Sequence, residues 1–472
     1  MRRTDHLLGK AVILLFGLCL ASTTAARANG GSAEAGSTGD GSAAPGAAAA
    51  ASGPSGLGSA LTRQQDEANK VALRCGLLID GRSELPRKDA TVLIGDGRIE
   101  AVGRNIDLPT GVKAIDLRRR TCLPGLIDLH VHLLLDTESD WGSLTASSAA
   151  KALLGLRNAQ LMLRTGFTTV RSTGESDVFY ALSDVRDAID RGDFVGPRIL
   201  LAPHMLSTTG GHGDFSDLAP DLQITIPGRV VDGPDEIRRA VREEIKHGAD
   251  WIKLAATGGV MSAGDNPNVT AFTDEELRAA VDEAHRHLKK ITVHAIGTEG
   301  IKAAIRAGVD SVEHGILIDE EGINLLLERG IYLVPTIYVL DYVVEVGPMI
   351  GYPKESVEKG RQLMVERDER MRRAFGAGVK VAFGSDTIFP HQQAPREFAE
   401  LVRLGLTPMQ AILAATINAA EVLDLDEEIG TIEAGKVADI VAVDDNPLDN
   451  IKTLEQVSFV MKDGTVVKMK TP

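Results

Sequence analysis

The chain has 472 residues, which is enough for a large hydrophobic core and for more than one folded unit. Its 66 acidic residues outnumber its 51 lysines and arginines, so the formal net charge is −15 at pH 7. Such a chain is a poor candidate for nucleic-acid binding, because a phosphate backbone requires a basic surface. We therefore expect no nucleic-acid partner.

The first 28 residues have the pattern of a signal peptide. Basic residues at Arg2, Arg3 and Lys10 precede an apolar stretch over residues 11–22, and the small residues at 26 and 28 form a small-x-small cleavage motif. The apolar stretch is too short to span a bilayer comfortably. We expect export to the periplasm or secretion, without stable membrane insertion after cleavage. A retained N-terminal anchor is the alternative.

The next segment, residues 29–64, is dominated by Gly, Ala and Ser and contains few charges. This composition cannot bury enough apolar surface to form a core. We therefore predict a flexible linker between the signal peptide and the folded part of the chain.

Strand-like segments occur at both ends of the remaining chain, over residues 65–122 and 429–472. Short apolar or alternating runs between Gly and Asp turns are typical of strands. We expect the two ends to pair into one small β-sandwich. Cys75 and Cys122 lie in this part, and they either form a disulfide or remain two separate buried thiols. No C-x-x-C motif is present, which argues against a zinc ribbon.

Between these ends, over residues 123–428, apolar strands alternate with helical patterns, which is typical of βα units. Thr273 to Glu276 forms a capping box before one of the helices. Eight such units indicate an α/β fold of the TIM (β/α)8 barrel type, with a doubly wound sheet as the alternative. The eight strands are predicted to begin near Gly125, Phe167, Arg198, Asp250, Lys290, Val309, Ile331 and Val379.

Residues that bind metals follow the ends of five of these strands. His130 and His132 form an H-x-H pair, and alternate residues of a strand share one face. The carboxyl ends of all barrel strands meet at one mouth, so these side chains are predicted to converge. The candidate ligands are His130, His132, Lys253, His294, His314 and Asp386.

The order of these residues resembles the amidohydrolase superfamily, and the flanking sequence is similar to its imidazolonepropionase-like branch. That branch includes metal-dependent dipeptidases, carboxypeptidases and ochratoxinase-like enzymes. The resemblance covers roughly residues 68–470, and the complete ordered set of motifs is far more specific than any one of them. The motifs include LPGLIDLHVH at 123–132, VEHG at 312–315 and GSDT at 384–387, with further matches at 166–171, 252–255, 293–295 and 430–439.

The resemblance implies a binuclear centre with two divalent metal ions, for which zinc is the default. It implies that His130, His132 and Asp386 bind one ion and that His294 and His314 bind the other. An ammonium group cannot bind a cation, so the resemblance implies that Lys253 is carboxylated and bridges both ions. A metal-bridging hydroxide then attacks an amide carbonyl, and Asp386 passes the proton to the leaving amine.

The implied function is hydrolysis of a small-molecule amide or peptide, with a dipeptidase or carboxypeptidase that releases a C-terminal amino acid as the expected type. Ochratoxin-type N-acyl amino acids are included among the expected substrates. A cyclic-amide hydrolase of the imidazolone type is one alternative, and a non-catalytic binding protein is another, although all six ligand positions are filled. The resemblance also implies a homo-oligomer, such as an octamer.

Three further residues are predicted to contact the substrate, each with a structural alternative. His212 lies in a Gly-rich loop after the third strand, where loops face the active site, although it could instead pack the loop. Tyr338 follows the seventh strand and could equally belong to the core. Arg171 ends the second strand and would pair with a carboxylate of either the substrate or the protein.

Overall fold

The computed structural model describes residues 70–135, 145–214, 228–262 and 264–470, together with residues 219, 221 and 225. The predicted signal peptide and linker lie outside the described residues. No helix in the described part of the chain is long and apolar enough to cross a membrane.

Strands and helices alternate through the middle of the described chain, and strands occupy both of its ends. The strands are β1 (Val71–Leu78), β2 (Arg87–Gly95), β3 (Arg98–Gly103), β4 (Lys113–Pro124), β5 (Leu126–Val131), β6 (Phe167–Thr173), β7 (Arg198–Ala202), β8 (Met205–Ser207), β9 (Arg229–Val230), β10 (Trp251–Ala255), β11 (Lys290–Ala295), β12 (Ser311–His314), β13 (Tyr332–Val334), β14 (Ile440–Val443), β15 (Phe459–Lys462) and β16 (Thr465–Met469). The helices are α1 (Ser148–Thr165), α2 (Ala181–Asp190), α3 (Pro234–Lys246), α4 (Asp274–Arg286), α5 (Thr298–Ala307), α6 (Glu320–Arg329), α7 (Ile337–Glu345), α8 (Gly347–Ile350), α9 (Lys354–Gly376), α10 (Glu397–Arg403), α11 (Pro408–Ala414) and α12 (Ile417–Val422).

Both ends of the described chain pair in one seven-stranded sheet, which we call the β domain. Its strand order is β16-β15-β14-β4-β1-β2-β3, so C-terminal strands continue directly from an N-terminal one. The sheet curls, because the outer strand β3 bonds back to the segment before β14 through Ile99 N–H and the Lys436 carbonyl, 2.8 Å apart. Cys75 of β1 and Cys122 of β4 form a disulfide, which decides between the two alternatives for this pair.

The middle of the chain closes into the predicted barrel. Strands β5, β6 and β7 are parallel neighbours, and β8, β10, β11, β12 and β13 continue the ring. The third barrel strand is broken between β7 and β8 at Pro203, which has no N–H to donate to a neighbouring strand. The eighth strand is irregular and spans residues 380–383. It bonds to Leu333 of β13 on one side and to Leu129 of β5 on the other.

Local sequence signals place the helices around this ring. The predicted capping box is present at the start of α4, where the Thr273 hydroxyl and the Glu276 carboxylate each accept a backbone N–H. Apolar side chains of the helices pack against the outward-facing apolar residues of the strands in one large core. This packing fixes the strands and therefore the positions of the residues at their carboxyl ends.

Candidate active site

The H-x-H pair at the end of β5 faces Asp386 across the barrel mouth. The Nε2 atoms of His130 and His132 lie 3.7 and 3.1 Å from Asp386 Oδ1. The Nδ1 atom of His130 bonds to Glu313 at 2.8 Å, and that of His132 bonds to the Gly174 carbonyl at 2.6 Å. Because these acceptors fix the protons on Nδ1, both Nε2 atoms offer lone pairs.

His294 and His314 form a second pair beside the first. Their rings lie 4.5 Å apart between centroids, and His314 lies 5.1 Å from His130. His294 donates its Nε2–H to the Gly258 carbonyl at 3.1 Å, which leaves Nδ1 available. His314 Nδ1 bonds to the Thr336 hydroxyl at 2.7 Å, which leaves Nε2 available. All four imidazoles are thus oriented by a hydrogen bond on the ring nitrogen away from the ligand position.

Lys253 lies in β10 and lines the same cavity as these pairs, and only 1% of it is exposed. Among the described residues, its Nζ atom has no hydrogen-bond partner. Burial lowers the pKa of the amine to about 8, although the nearby carboxylates of Glu313 and Asp386 oppose this shift. A buried ammonium without a partner is unfavourable, so the amine is suited to losing its charge.

The electrostatics of His130, His294, His314 and Asp386 suit cation binding, whereas at His132 the Asp386 carboxylate raises the pKa against the opposing effect of burial. Burial lowers the pKa values of His130, His294 and His314 well below that of a free histidine, so these rings are neutral. Burial opposes the charged form of Asp386 too, but the neighbouring His130 and His132 hold its pKa at about 2. Neutral imidazoles and an ionised carboxylate are the protonation states that a metal requires.

The backbone is strained at three positions in this site. His314, Thr336 and Asp386 have φ values of 68°, 46° and 55°, in the left-handed region that side chains rarely adopt. Asp386 is held there by its N–H, which donates to the His130 carbonyl at 2.7 Å. Outliers of this kind persist where the surroundings fix them, and they cluster at functional sites.

Comparison with known proteins identifies the family of this arrangement. Residues 121–467 match the Amidohydrolase family. The ochratoxinase of Aspergillus niger is 35% identical over 431 residues, which cover 85% of this chain and 88% of the ochratoxinase. The chain belongs to the amidohydrolase family. The predicted resemblance is therefore confirmed, and the protein is a hydrolase that acts on amide bonds in small molecules.

Solved structures agree with this assignment. A Xaa-Pro dipeptidase with methionine bound in its active site is similar to this amidohydrolase with a TM-score of 0.80 and 37% identity, covering 84% of this chain and 100% of the dipeptidase. A prolidase complexed with N-methylphosphonate-L-proline gives a TM-score of 0.78 and 35% identity, covering 85% of this chain and 100% of the prolidase. These likenesses confirm the barrel with an additional domain.

The site residues of the amidohydrolase fit the metals that are typical of its family. We call the six candidate ligands the ligand group, which consists of His130, His132, Lys253, His294, His314 and Asp386. His130, His132 and Asp386 place one potential ligand atom each within 4.8 Å of one another. Imidazole nitrogens and carboxylate oxygens are the usual ligands of zinc and related divalent ions. Lys253 lines the same cavity as the two histidine pairs, and its Nζ atom has no hydrogen-bond partner among the described residues.

Arg171 does not reach the cavity. It pairs with a carboxylate of the protein, which is one of its two predicted alternatives. Its side chain is fully buried inside the barrel, where it bonds to Glu313 Oε1 at 2.7 Å and to the Leu129 carbonyl at 2.7 Å. Since Glu313 also orients His130, Arg171 supports the ligand group from below. Glu313 belongs to the VEHG motif, but nothing in the sequence indicates this role.

Tyr338 also lies away from the cavity, in an aromatic cluster with Tyr342 and Phe389. Its hydroxyl donates to Gln393 at 2.8 Å and accepts from Arg396 at 2.9 Å. Tyr338 is buried in this cluster, which is the core-packing alternative to the predicted substrate contact.

His212 does line the cavity, as its predicted role requires. Its ring stacks on His294 with centroids 4.3 Å apart, and its Nδ1 bonds to the Ser262 hydroxyl at 2.7 Å. Thr173 lines the same space, and its buried hydroxyl has no hydrogen-bond partner in the described part of the chain. Nothing in the sequence singled out Thr173, because a threonine at a strand end is common.

The cavity above the ligand group is apolar on one side. With its mouth it encloses about 680 Å³. On the side lined by His132 and His212, the cavity opens to a second, more polar space, and the lining of this space includes Glu175 and Asp214. The apolar wall includes Val260, Ile296, Ile316, Leu340, Val343 and Ile388. A substrate with one apolar end and one polar end fits this division.

Proposed function

We propose that this amidohydrolase is a binuclear metal-dependent dipeptidase or carboxypeptidase that releases a C-terminal amino acid from a peptide or N-acyl amino acid. The observation that carries the proposal is that the buried amine of Lys253 has no partner among the described residues, in a cavity that it shares with two oriented histidine pairs. A structural lysine would have an acceptor for its protons, whereas a carboxylated lysine would have its oxygens directed at metals.

In this proposal His130, His132 and Asp386 hold one divalent ion, and His294 and His314 hold the other. Lys253, carboxylated by carbon dioxide at Nζ, would be their bridging ligand, and zinc is the expected metal. When bound, the two ions activate a water molecule and polarise the scissile carbonyl.

Asp386 moves the proton in this proposal. Its low pKa keeps the carboxylate ionised at the start of the reaction, so it can accept the proton of the attacking water. It then donates that proton to the nitrogen of the leaving amine, and the carboxylate is regenerated. The carboxylate is aimed by two contacts, one from its own backbone N–H to the His130 carbonyl and one from its Oδ1 to His132.

The relatives support an amino acid as the leaving group. One similar structure holds methionine in its active site and another holds a phosphonate of L-proline, while a third relative is an ochratoxinase. The apolar wall of the cavity is suited to an apolar substituent, so ochratoxin-type N-acyl amino acids belong to the proposed substrates. His212 is the proposed polar contact of the substrate, because it lines the cavity beside His294.

We also propose that the protein is exported and forms a homo-oligomer. The signal-peptide pattern of the first 28 residues favours export, and the Cys75–Cys122 disulfide is consistent with an oxidising compartment. The proposed oligomer comes from the family resemblance, and its size would be measured by light scattering on the purified mature protein.

The test is elemental analysis of the purified protein, combined with a hydrolysis panel of dipeptides and N-acyl amino acids on the same sample. About two metals per chain and release of the C-terminal amino acid would support the proposal. Two metals without release would keep the ligand assignment and reject the peptidase assignment. No metal after reconstitution with bicarbonate would reject the ligand assignment as well.

A further inference from the structure

A chain of hydrogen bonds runs from the cavity to α9 behind His212. His212 Nδ1 lies 2.7 Å from the Ser262 hydroxyl, and this hydroxyl lies 2.6 Å from Asp265 Oδ2. The other oxygen of Asp265 accepts from Lys359 Nζ at 2.8 Å. We call these four residues the His212 chain. Asp265 is almost completely buried, so its contacts with Ser262 and Lys359 take the place of water.

The direction of each proton in the His212 chain follows from the groups present. Asp265 is paired with Lys359, and an ionised carboxylate can only accept. The single hydroxyl proton of Ser262 is therefore donated to Asp265. The Ser262 oxygen can then only accept from His212, so the proton of the imidazole is on Nδ1. A neutral ring with its proton there has a lone pair on Nε2.

Backbone groups of the loop after β10 hold the His212 chain in position. The Gly259 N–H donates to Asp265 Oδ2 at 2.8 Å, and Lys359 also donates to the Ser262 carbonyl at 2.8 Å. A Cβ atom on Gly259 would lie 2.0 Å from His212 Nδ1, so the backbone approaches the ring as closely as only glycine allows. Ring position and proton position are thus fixed together.

A neutral His212 also fits its neighbour. Its ring stacks on His294, a proposed metal ligand, and a second positive charge next to a bound cation would be unfavourable. The Nε2 atom of His212 is then a hydrogen-bond acceptor beside the proposed reaction centre. An acceptor at this point can form a hydrogen bond with an N–H group. It can form none with a carboxylate or with a nitrogen that has no hydrogen.

We propose that Ser262 and Asp265 are positioning residues that hold His212 with Nε2 as an acceptor for the N–H of the scissile amide. This inference rests on the proposed function and sharpens its substrate class. The enzyme then prefers secondary amides over tertiary amides, including bonds to the nitrogen of proline. Among the substrates named by its relatives, ochratoxin-type amides fit this preference and Xaa-Pro bonds do not.

The test compares kcat/KM for an N-acyl amino acid and for its N-methyl analogue, which lacks the scissile N–H. One neutral hydrogen bond is worth about a factor of three to ten, and we expect the wild type to prefer the N–H substrate by at least that factor. Ser262→Ala should abolish this preference by lowering kcat/KM for the N–H substrate only. The metal content and kcat/KM for the N-methyl substrate should be unchanged. Ser262→Thr, which retains a hydroxyl, should restore the preference.

Asp265→Asn gives an independent variant, and Glu358→Gln on the exposed face of α9 is its matched control for loss of one charge. Loss of the preference in the first and its retention in the second would support the positioning role. Equal falls in rate on both substrates in Ser262→Ala would overturn it, as would a wild type without preference. A metal-loaded wild type inactive on every amide would overturn the proposed function, and this inference with it.

Discussion

The interior of the barrel and the core of the β domain bury side chains of opposite character. In the barrel, charged and polar groups are almost completely buried, among them Asp128, Arg171, Lys253 and Glu313. In the β domain the core cluster is apolar, although single polar side chains such as Thr121 of β4 are buried beside it, and two of its strands are joined by the Cys75–Cys122 disulfide. Its core includes Leu73, Val92, Ile99, Leu117, Ile440 and Phe459.

This difference separates the part of the molecule that performs chemistry from the part that supports it. Buried charges reduce stability unless they are paired, so stability alone does not explain a barrel interior that retains them. Here the Arg171–Glu313 pair orients His130, one of the histidines of the ligand group. We therefore expect substitutions inside the barrel to change metal content and turnover, whereas substitutions in the β domain change stability alone.

The largest effect is expected from Lys253→Ala. Loss of the amine removes the group that would bridge the metals, so metal and activity should be lost together. Short carboxylic acids such as formate should restore part of both, because they can occupy the place of the carboxylated side chain. Elemental analysis and hydrolysis assays would measure this, with Lys246→Ala on the exposed face of α3 as the control. A fully metallated, active Lys253→Ala enzyme would exclude the bridging role.

A smaller but still large effect is expected from Asp386→Asn. The amide can still occupy the carboxylate's position, so folding should be nearly intact, but it cannot accept the proton of the attacking water. Proton transfer by a positioned side chain contributes about 10²–10⁴-fold to rate, and kcat should fall by that order. Thermal melting and steady-state kinetics would measure both properties. Normal turnover would refute the proton-transfer role.

Glu313→Gln tests the support below the ligand group. Its carboxylate accepts from Arg171 at 2.7 Å and bonds to His130 at 2.8 Å. Removing one charge of a buried pair is expected to cost about 3–5 kcal/mol of stability. Loss of the group that orients a ligand should also weaken metal binding by about 10–100-fold. Denaturant unfolding and metal titration would measure these, with the exposed Glu328→Gln as the control.

Adding Arg171→Met to Glu313→Gln separates these two effects. The double variant has no uncompensated buried charge, so part of the lost stability should return. His130 still lacks its carboxylate partner, so metal affinity should stay low. If affinity returned together with stability, Glu313 would have no specific effect on His130.

The residues at strand ends could be predicted because two simple rules act there. Alternation along a strand places His130 and His132 on one face, and parallel strands of a barrel end at one mouth. The same rules do not tell how deep a residue lies. Arg171 precedes the last residue of β6 by two positions, so it lies one layer below the mouth and meets Glu313 instead of a substrate.

The remaining site residues depend on backbone geometry that the sequence does not display. In a regular strand the neighbours Glu313 and His314 would face opposite sides, but the positive φ of His314 breaks this alternation. The left-handed Thr336 directly precedes α7, where Tyr338 packs into an aromatic cluster away from the cavity. Thr173 at the end of β6 and the pair Ser262 and Asp265 in the loop after β10 come from two separate parts of the chain, which only the fold brings together.

The smallest effect on chemistry is expected from removing the disulfide with Cys75→Ala and Cys122→Ala together. The two cysteines are 47 residues apart in sequence, and a loop of this size is expected to contribute about 2–4 kcal/mol by restricting the unfolded chain. The melting temperature should fall, and reduction of the wild type should lower it similarly. Below the melting transition, metal content and kcat should remain those of the wild type, because the β domain supplies no group to the cavity among the described residues. Loss of metal from the folded double variant would show that the two regions are coupled, and the separation between chemistry and support would fail.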